Sequence, residues 1–164
     1  RQGVLAVVDY AHKPAALEAA IKAVRDEVEG RVIAVFGAGG DRDHGKRPMM
    51  GAAAVAGADV VIITDDNPRT EDPATIRKAI EDGAKEFVAS HPGRRSVDIC
   101  NVDGRGAAIT LAVSKAHPGD AIIVAGKGHE QGQLVGEEMK DFDDRVELAN
   151  ALANEAGSEG TQED

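Results

Sequence analysis

Apolar residues occur in short blocks separated by longer stretches with helical spacing. The blocks are Val4–Val8, Val32–Phe36, Val60–Thr64, a weaker Val97–Val102, and Ala121–Ala125. They show no clean polar alternation, which predicts buried strands of a parallel sheet covered on both faces. Between the first two blocks, Lys13-Pro14 opens a stretch with Ala16, Leu17, Ala20, Ile21 and Val24 at helical spacing, and Gly30 ends it. Arg47–Ala56 predicts a second helix, with Gly57 near its C-terminus. Pro73 stands where a first-turn proline belongs, ahead of a long helix to about Ala89. Gly104–Ala116 predicts a fourth helix. His91-Pro92-Gly93 and Pro118-Gly119-Asp120 read as turns. Gln133–Val135 predicts one more short strand, and Asp141 is placed to cap a last helix through Ala153. The polar stretch 157–164 predicts a flexible acidic tail.

Strand and helix alternate along the chain. The fold class that follows is α/β, a Rossmann-like, doubly wound, mostly parallel sheet of about six strands with helices on both faces. One domain is expected over 1–156. In such sheets ligands sit beyond the carboxyl ends of the strands. Polar, Gly-rich loops begin there after Val8, Phe36, Thr64 and Ala125.

Composition narrows the reading. The 164 residues fit one domain of roughly 100–200 residues. Aromatics are 2%, with no Trp, so the core is aliphatic, and the composition argues against an aromatic platform for single-stranded nucleic acid. A net charge of −10 argues against non-specific binding to nucleic acid or anionic membranes. The single Cys100 excludes an internal disulfide or a cysteine zinc cluster, and it reads as core. No apolar run approaches the ~20 residues of a membrane span, and no signal peptide is visible. A cytoplasmic chain without membrane insertion is expected. The start at Arg1 rather than Met, close to strand-like residues, reads as a piece of a longer protein.

The loops carry the candidate chemistry. Gly40–Arg47 nearly matches the phosphate loop G-x-x-x-x-G-K-[ST]. It fails at Arg47, where the Mg²⁺ hydroxyl belongs, and Asp41 and Asp43 would repel a polyphosphate. Two readings remain: a Gly-rich turn feeding a helix, or an anion or zwitterion site on Arg42 with Lys46 and Arg47. In the next loop the Asn67-Pro68 turn displays Asp66 and Arg69. An acid beside a fork-shaped cation suits a zwitterion, and equally suits a surface pair capping the next helix. Gly126 and Gly128 flank Lys127, with His129 and Glu130 following. This is a ligand approach or an ordinary turn, without the ligand clustering of a metal site. Tyr10 and His12 could meet a base or ribose, or Tyr10 could be structural. His91 and His117 read as turn residues, and His44 has no assigned role. Ser90, Ser96 and Ser114 lack a G-x-S-x-G setting.

Taken in order, DYAHKP, GAGGDRDHGKRPMMG, DDNPRTEDP and GKGHE resemble the C-terminal domain of the Mur ligases, from about Val4 to Leu152. DNPR is the most specific of these motifs, and members with it typically select meso-diaminopimelate. The resemblance implies an ATP-dependent amide ligase of peptidoglycan synthesis. ATP phosphorylates the D-glutamate carboxylate of UDP-N-acetylmuramoyl-L-alanyl-D-glutamate. An amine of meso-diaminopimelate then attacks the acyl phosphate. The resemblance puts a UDP-binding domain, and a central ATPase domain with the Mg²⁺ ligands, outside this chain. It implies that Arg42, Asp66, Asn67, Pro68, Arg69, Gly126 and Glu130 bind meso-diaminopimelate. Asp9, Tyr10, His12 and Arg31 would face the nucleotide. No metal ligand and no catalytic residue is expected in this domain alone, which is expected to be inactive by itself. Two other readings stand beside it: a stand-alone Rossmann-like small-molecule-binding module, and a small NTPase using Gly40–Lys46.

Overall fold

Uninterrupted aliphatic runs form the centre of the sheet. In the computed structural model, which describes residues 3–160, the strands are β1 (Leu5–Asp9), β2 (Val32–Phe36), β3 (Val60–Ile63), β4 (Asp98–Asn101) and β5 (Ala121–Ala125). All pair in parallel, in the order β1-β5-β2-β3-β4. Ile33 is opposite Val60 on one side and Ile122 on the other. Every residue of β2, β3 and β5 is buried. Their lack of alternation has this cause: helices cover both faces. β1 differs from expectation. It is an edge strand, exposed at Leu5 and Ala6, because only β5 pairs with it.

Helices α1 (Pro14–Asp26), α2 (Lys46–Gly57) and α3 (Pro73–Ser90) pack on one face, where Leu17, Ile21, Met50, Ala54, Ile76 and Ile80 meet Ala34, Phe36, Val61 and Ile123. Pro73 opens α3 as the sequence suggests, and the Asp72 side chain caps it by accepting a hydrogen bond from the Ala74 amide (3.1 Å). Helices α4 (Arg105–Lys115) and α5 (Asp144–Gly160) cover the other face, where Ile109, Ala112, Val113 and Leu148 meet Ile33, Val35, Ile62 and Ile122.

The C-terminal part departs from expectation twice. Gln133–Val135 does form a strand, β6 (Gly132–Val135), but not in the main sheet. It pairs antiparallel with β7 (Glu138–Asp141), leaving five strands in the main sheet. β7 is exposed throughout and apolar only at Met139, so no hydrophobic pattern announces it. Asp141 therefore ends a strand and caps no helix. Asp143 takes that role, its carboxylate accepting from the Arg145 amide (3.0 Å). α5 continues past Ala153 to Gly160, across the start of the expected tail. Arg1, Gln2 and the tail from residue 161 lie outside the described residues.

A buried ion pair ties this helix to the sheet. Arg105, 1% exposed, donates from Nε and Nη2 to both oxygens of Asp144 (2.7 and 2.6 Å). Its Nη1 also donates to the Asp65 carbonyl (3.2 Å), and its Nη2 to the Ala125 carbonyl (3.0 Å). Burial opposes the charge most strongly of any one cause, yet the Asp144 hydrogen bonds and the charges of Asp144, Asp66 and Asp65 together hold the guanidinium above its ordinary pKa. One side chain thus fixes the roots of the loops after β3 and β5.

Candidate functional site

β2 and β5 are neighbours, but the chain leaving them goes to α2 on one face and, through the β6–β7 hairpin, to α5 on the other. Connections that diverge in this way open a crevice at the carboxyl edge of the sheet. A cavity of about 400 Å³ lies there. Its lining includes Tyr10, His12, Arg42, Asp43, Lys46, Asp66, Asn67, Arg69, Gly126 and Glu130. All four loops singled out in the sequence contribute. A second cavity, of about 560 Å³, lies between the end of α3 and the approach to β4, away from these loops.

The loops after β2 and β3 are clasped reciprocally. The Asp41 carboxylate accepts from the Thr70 hydroxyl (2.7 and 2.8 Å) and the Thr70 amide (3.3 Å). In return, one oxygen of Glu71 accepts from the Asp41 amide (2.7 Å) and Arg47 Nη2 (2.8 Å), with His44 Nε2 at 3.0 Å. Asp41 and Arg69 both adopt left-handed backbone, at φ 55 and 52, a conformation that costs non-glycine residues about 1–2 kcal/mol. The surrounding bonds hold them there. Gly40 is required by close approach: its amide donates to the Asn67 carbonyl (2.8 Å), and a Cβ would overlap the Pro68 carbonyl.

The clasp has a pH signature. The Arg47 hydrogen bond, followed by that of the Asp41 amide, holds the Glu71 carboxyl at about 2, below its ordinary 4.5. A depressed folded pKa stabilises the fold above the ordinary value and loses that contribution as pH falls toward 2. Thermal unfolding of the wild type and Glu71→Gln should therefore differ most above about pH 5, the gap closing between pH 5 and 2. A gap that stays constant over that window would show that Glu71 is not held by charge.

The hairpin seats the Asn67 turn. Asn67 Oδ1 accepts from the Leu134 amide (2.8 Å) and from Lys127 Nζ (3.0 Å). Gln133 Nε2 donates to the Asp66 carbonyl (2.6 Å), and the Arg69 amide donates to the Leu134 carbonyl (3.0 Å). The Arg69 guanidinium uses only Nη1 among the described residues, on the carbonyls of Gly40 (3.0 Å) and Asn67 (3.4 Å). Among the described residues Arg42 hydrogen-bonds only its neighbour's carbonyl (3.4 Å). Both arginines therefore keep N–H groups directed at no other described residue. Asp66 and Glu130 supply the opposite charge, and Gly126 at φ 115 lets the Asp66 carboxylate lie against its α-carbon.

Most residues implied by the resemblance converge on this cavity, with four differences. Asn67 lines it, but its carbonyl oxygen is occupied by Lys127 and Leu134. Pro68 is buried against Gly40 and does not line the cavity. Asp9 also lies outside the lining, its carboxylate accepting from the Ala11 amide (2.7 Å). Arg31 is separated from the rest by the length of β2. It sits at the amino edge of the sheet, where Nη2 donates to the Lys115 carbonyl (2.6 Å) and to Asp120 (3.4 Å). Tyr10, 54% exposed, and His12 sit edge to face at the rim, ring centroids 5.1 Å apart.

The near-phosphate loop does not fit a metal-bound polyphosphate. Asp41 is bonded to Thr70, Arg47 is buried on Glu71, and Asp43 already accepts the Gly45 amide (2.9 Å) at the start of α2. Glu71, Gln133 and the Arg105–Asp144 pair were not found from the sequence. The first is visible only as an acid just after DNPRT, and nothing local distinguishes the others.

The parallel sheet and its switch-point crevice, lined by both charge signs, define an α/β domain with a polar cavity at the carboxyl edge of its sheet. Residues 1–128 match the family described as Mur ligase, glutamate ligase domain. The UDP-N-acetylmuramoyl-L-alanyl-D-glutamate–2,6-diaminopimelate ligase of Corynebacterium glutamicum is 51% identical over 151 residues, which are 92% of this chain and 29% of that protein. The protein of the same name from Agrobacterium fabrum is 49% identical over 158 residues, 96% of this chain and 30% of its own length. A solved structure under that name superimposes with a TM-score of 0.84 at 39% identity, covering 95% of this chain and 30% of the other. The chain belongs to the Mur ligase family, as its C-terminal domain. It spans less than a third of the length of these relatives. No described helix is long and apolar enough to cross a membrane.

Proposed function

We propose that this chain is the amino-acid-binding domain of an ATP-dependent amide ligase. In this reading the enzyme joins meso-diaminopimelate to UDP-N-acetylmuramoyl-L-alanyl-D-glutamate in the cytoplasm during peptidoglycan synthesis. The observation that carries the reading is one cavity lined by Arg42 and Arg69 together with Asp66 and Glu130. Meso-diaminopimelate carries two carboxylates and two ammonium groups, so its receptor needs both charge signs on rigid turns. A volume of about 400 Å³ falls within the range of small-molecule sites, roughly 300–1,000 Å³.

The chain's own residues bind and orient. Arg42 and Arg69 take carboxylate, while Asp66 and Glu130 take the neighbouring ammonium. The far amine is left free to attack an acyl phosphate presented by the rest of the enzyme. Positioning of this kind supplies much of the rate in two-substrate reactions. Tyr10 and His12, exposed at the rim, face the nucleotide. ATP phosphates and Mg²⁺ belong outside this chain, because in the loop that most resembles a phosphate loop Asp41, Asp43 and Arg47 are bonded elsewhere.

Calorimetric titration tests the reading. The chain should bind meso-diaminopimelate about 100-fold more tightly than L-lysine, which lacks the second carboxylate and leaves an arginine unpaired. Preference for lysine, or binding of neither, would overturn it.

A further inference from the structure

Lys127 is fully buried in the loop after β5, and the reading above gives it no task. Its Nζ donates to Asn67 Oδ1 at 3.0 Å. Two carboxylates flank it at longer range, Asp66 Oδ1 at 3.8 Å and Glu130 Oε2 at 3.6 Å. Both distances exceed that of a direct hydrogen bond. The lysine thus balances the two acids electrostatically without capping their oxygens, which stay available to a ligand in the cavity they line. At 0% exposure the ammonium itself cannot meet that ligand.

We propose that Lys127 sets the charge selectivity of the receptor, favouring net-neutral amino acids with two carboxylates and two ammonium groups over net cations. The proposal rests on the reading of the cavity as an amino-acid receptor. Asp66 and Glu130 together would attract any cation that reached the cavity. A buried positive charge between them weakens that attraction, so an ammonium alone gains little. A ligand must also bring carboxylates to Arg42 and Arg69. Lysine brings one carboxylate to this pair and meso-diaminopimelate brings two. Lys127 is in this sense a positioning residue, acting through the acids it faces.

The test compares the wild-type chain with Lys127→Gln and Lys127→Met. Glutamine retains an amide donor for Asn67 while removing the charge, so it guards against loss of the loop. Each folded variant, checked by its thermal midpoint, is titrated with meso-diaminopimelate and with L-lysine. The ratio of the two affinities is expected to fall by about tenfold or more in both variants, chiefly because lysine binds more tightly. An unchanged ratio overturns the proposal. So does an equal loss for both ligands in a folded variant, which would make Lys127 purely structural. A wild-type chain that binds neither ligand overturns the receptor reading itself.

Discussion

Replacing Arg105 by alanine is expected to destabilise the fold by about 3–5 kcal/mol, the usual effect of orphaning one member of a buried ion pair. In a domain of this size that lowers the thermal midpoint by roughly 10 °C. Arg105 and Asp144 are both 0% exposed at the side chain. Without the guanidinium, Asp144 keeps a buried charge with no partner of similar quality. The carbonyls of Asp65 and Ala125 each lose a donor as well. The double replacement Arg105→Met with Asp144→Leu leaves no charge behind, so it should recover most of the lost stability. Its ligand affinity should stay reduced, because the two loop roots then lose the guanidinium that joins them. Denaturant unfolding of the single variant within about 1 kcal/mol of wild type would show that the pair is not the tie described here.

Removing the Arg69 guanidinium should have the largest effect on binding. Loss of charge-assisted hydrogen bonds to a carboxylate costs about 1.5–3 kcal/mol, or roughly 10–100-fold in affinity. Alanine at this position would add strain, since the backbone is at φ 52. Arg69→Gly is therefore the cleaner variant, because glycine adopts that conformation freely. It should weaken meso-diaminopimelate by about 100-fold, at the upper end of that range, because the link to Gly40 is also lost. L-lysine affinity should change little. Arg69→Lys should rescue poorly, as an ammonium cannot reproduce a bidentate fork. Undiminished affinity for diaminopimelate in the glycine variant would remove Arg69 from the receptor.

The sheet was legible because β2, β3 and β5 are unbroken aliphatic runs, which only a strand buried on both faces requires. Pairing was less legible. The short run at Gln133–Val135 carries no mark of its partner, and β7 reads Glu-Met-Lys-Asp with every residue exposed. Asp141, Asp143 and Asp144 are all capping residues by type, and only the hairpin decides among them. At the site, Arg42, Asp66, Arg69, Gly126 and Glu130 could be found because loops after parallel strands share one edge. The same rule counts against Arg31, which precedes a strand and so belongs to the other edge. Arg105 reads as an ordinary cation at a helix start; its partner lies 39 positions away, across the fold. Glu71 reads as an exposed acid until three donors are seen to meet on one oxygen.

The β6–β7 hairpin is joined to the site mainly through the Asn67 turn and to itself through four antiparallel pairs. Nothing in it belongs to the main sheet. Segments of this kind open locally at lower free energy than the sheet they decorate. Opening would break the Leu134 bonds to Asn67 and Arg69, which help to hold Arg69 in its left-handed conformation. In the receptor proposed above, the fraction of time the hairpin is closed would scale the intrinsic affinity of the cavity. Scaffold and site are held by separate elements in this molecule: the sheet forms the crevice, and a small two-stranded ribbon braces the turn that lines it.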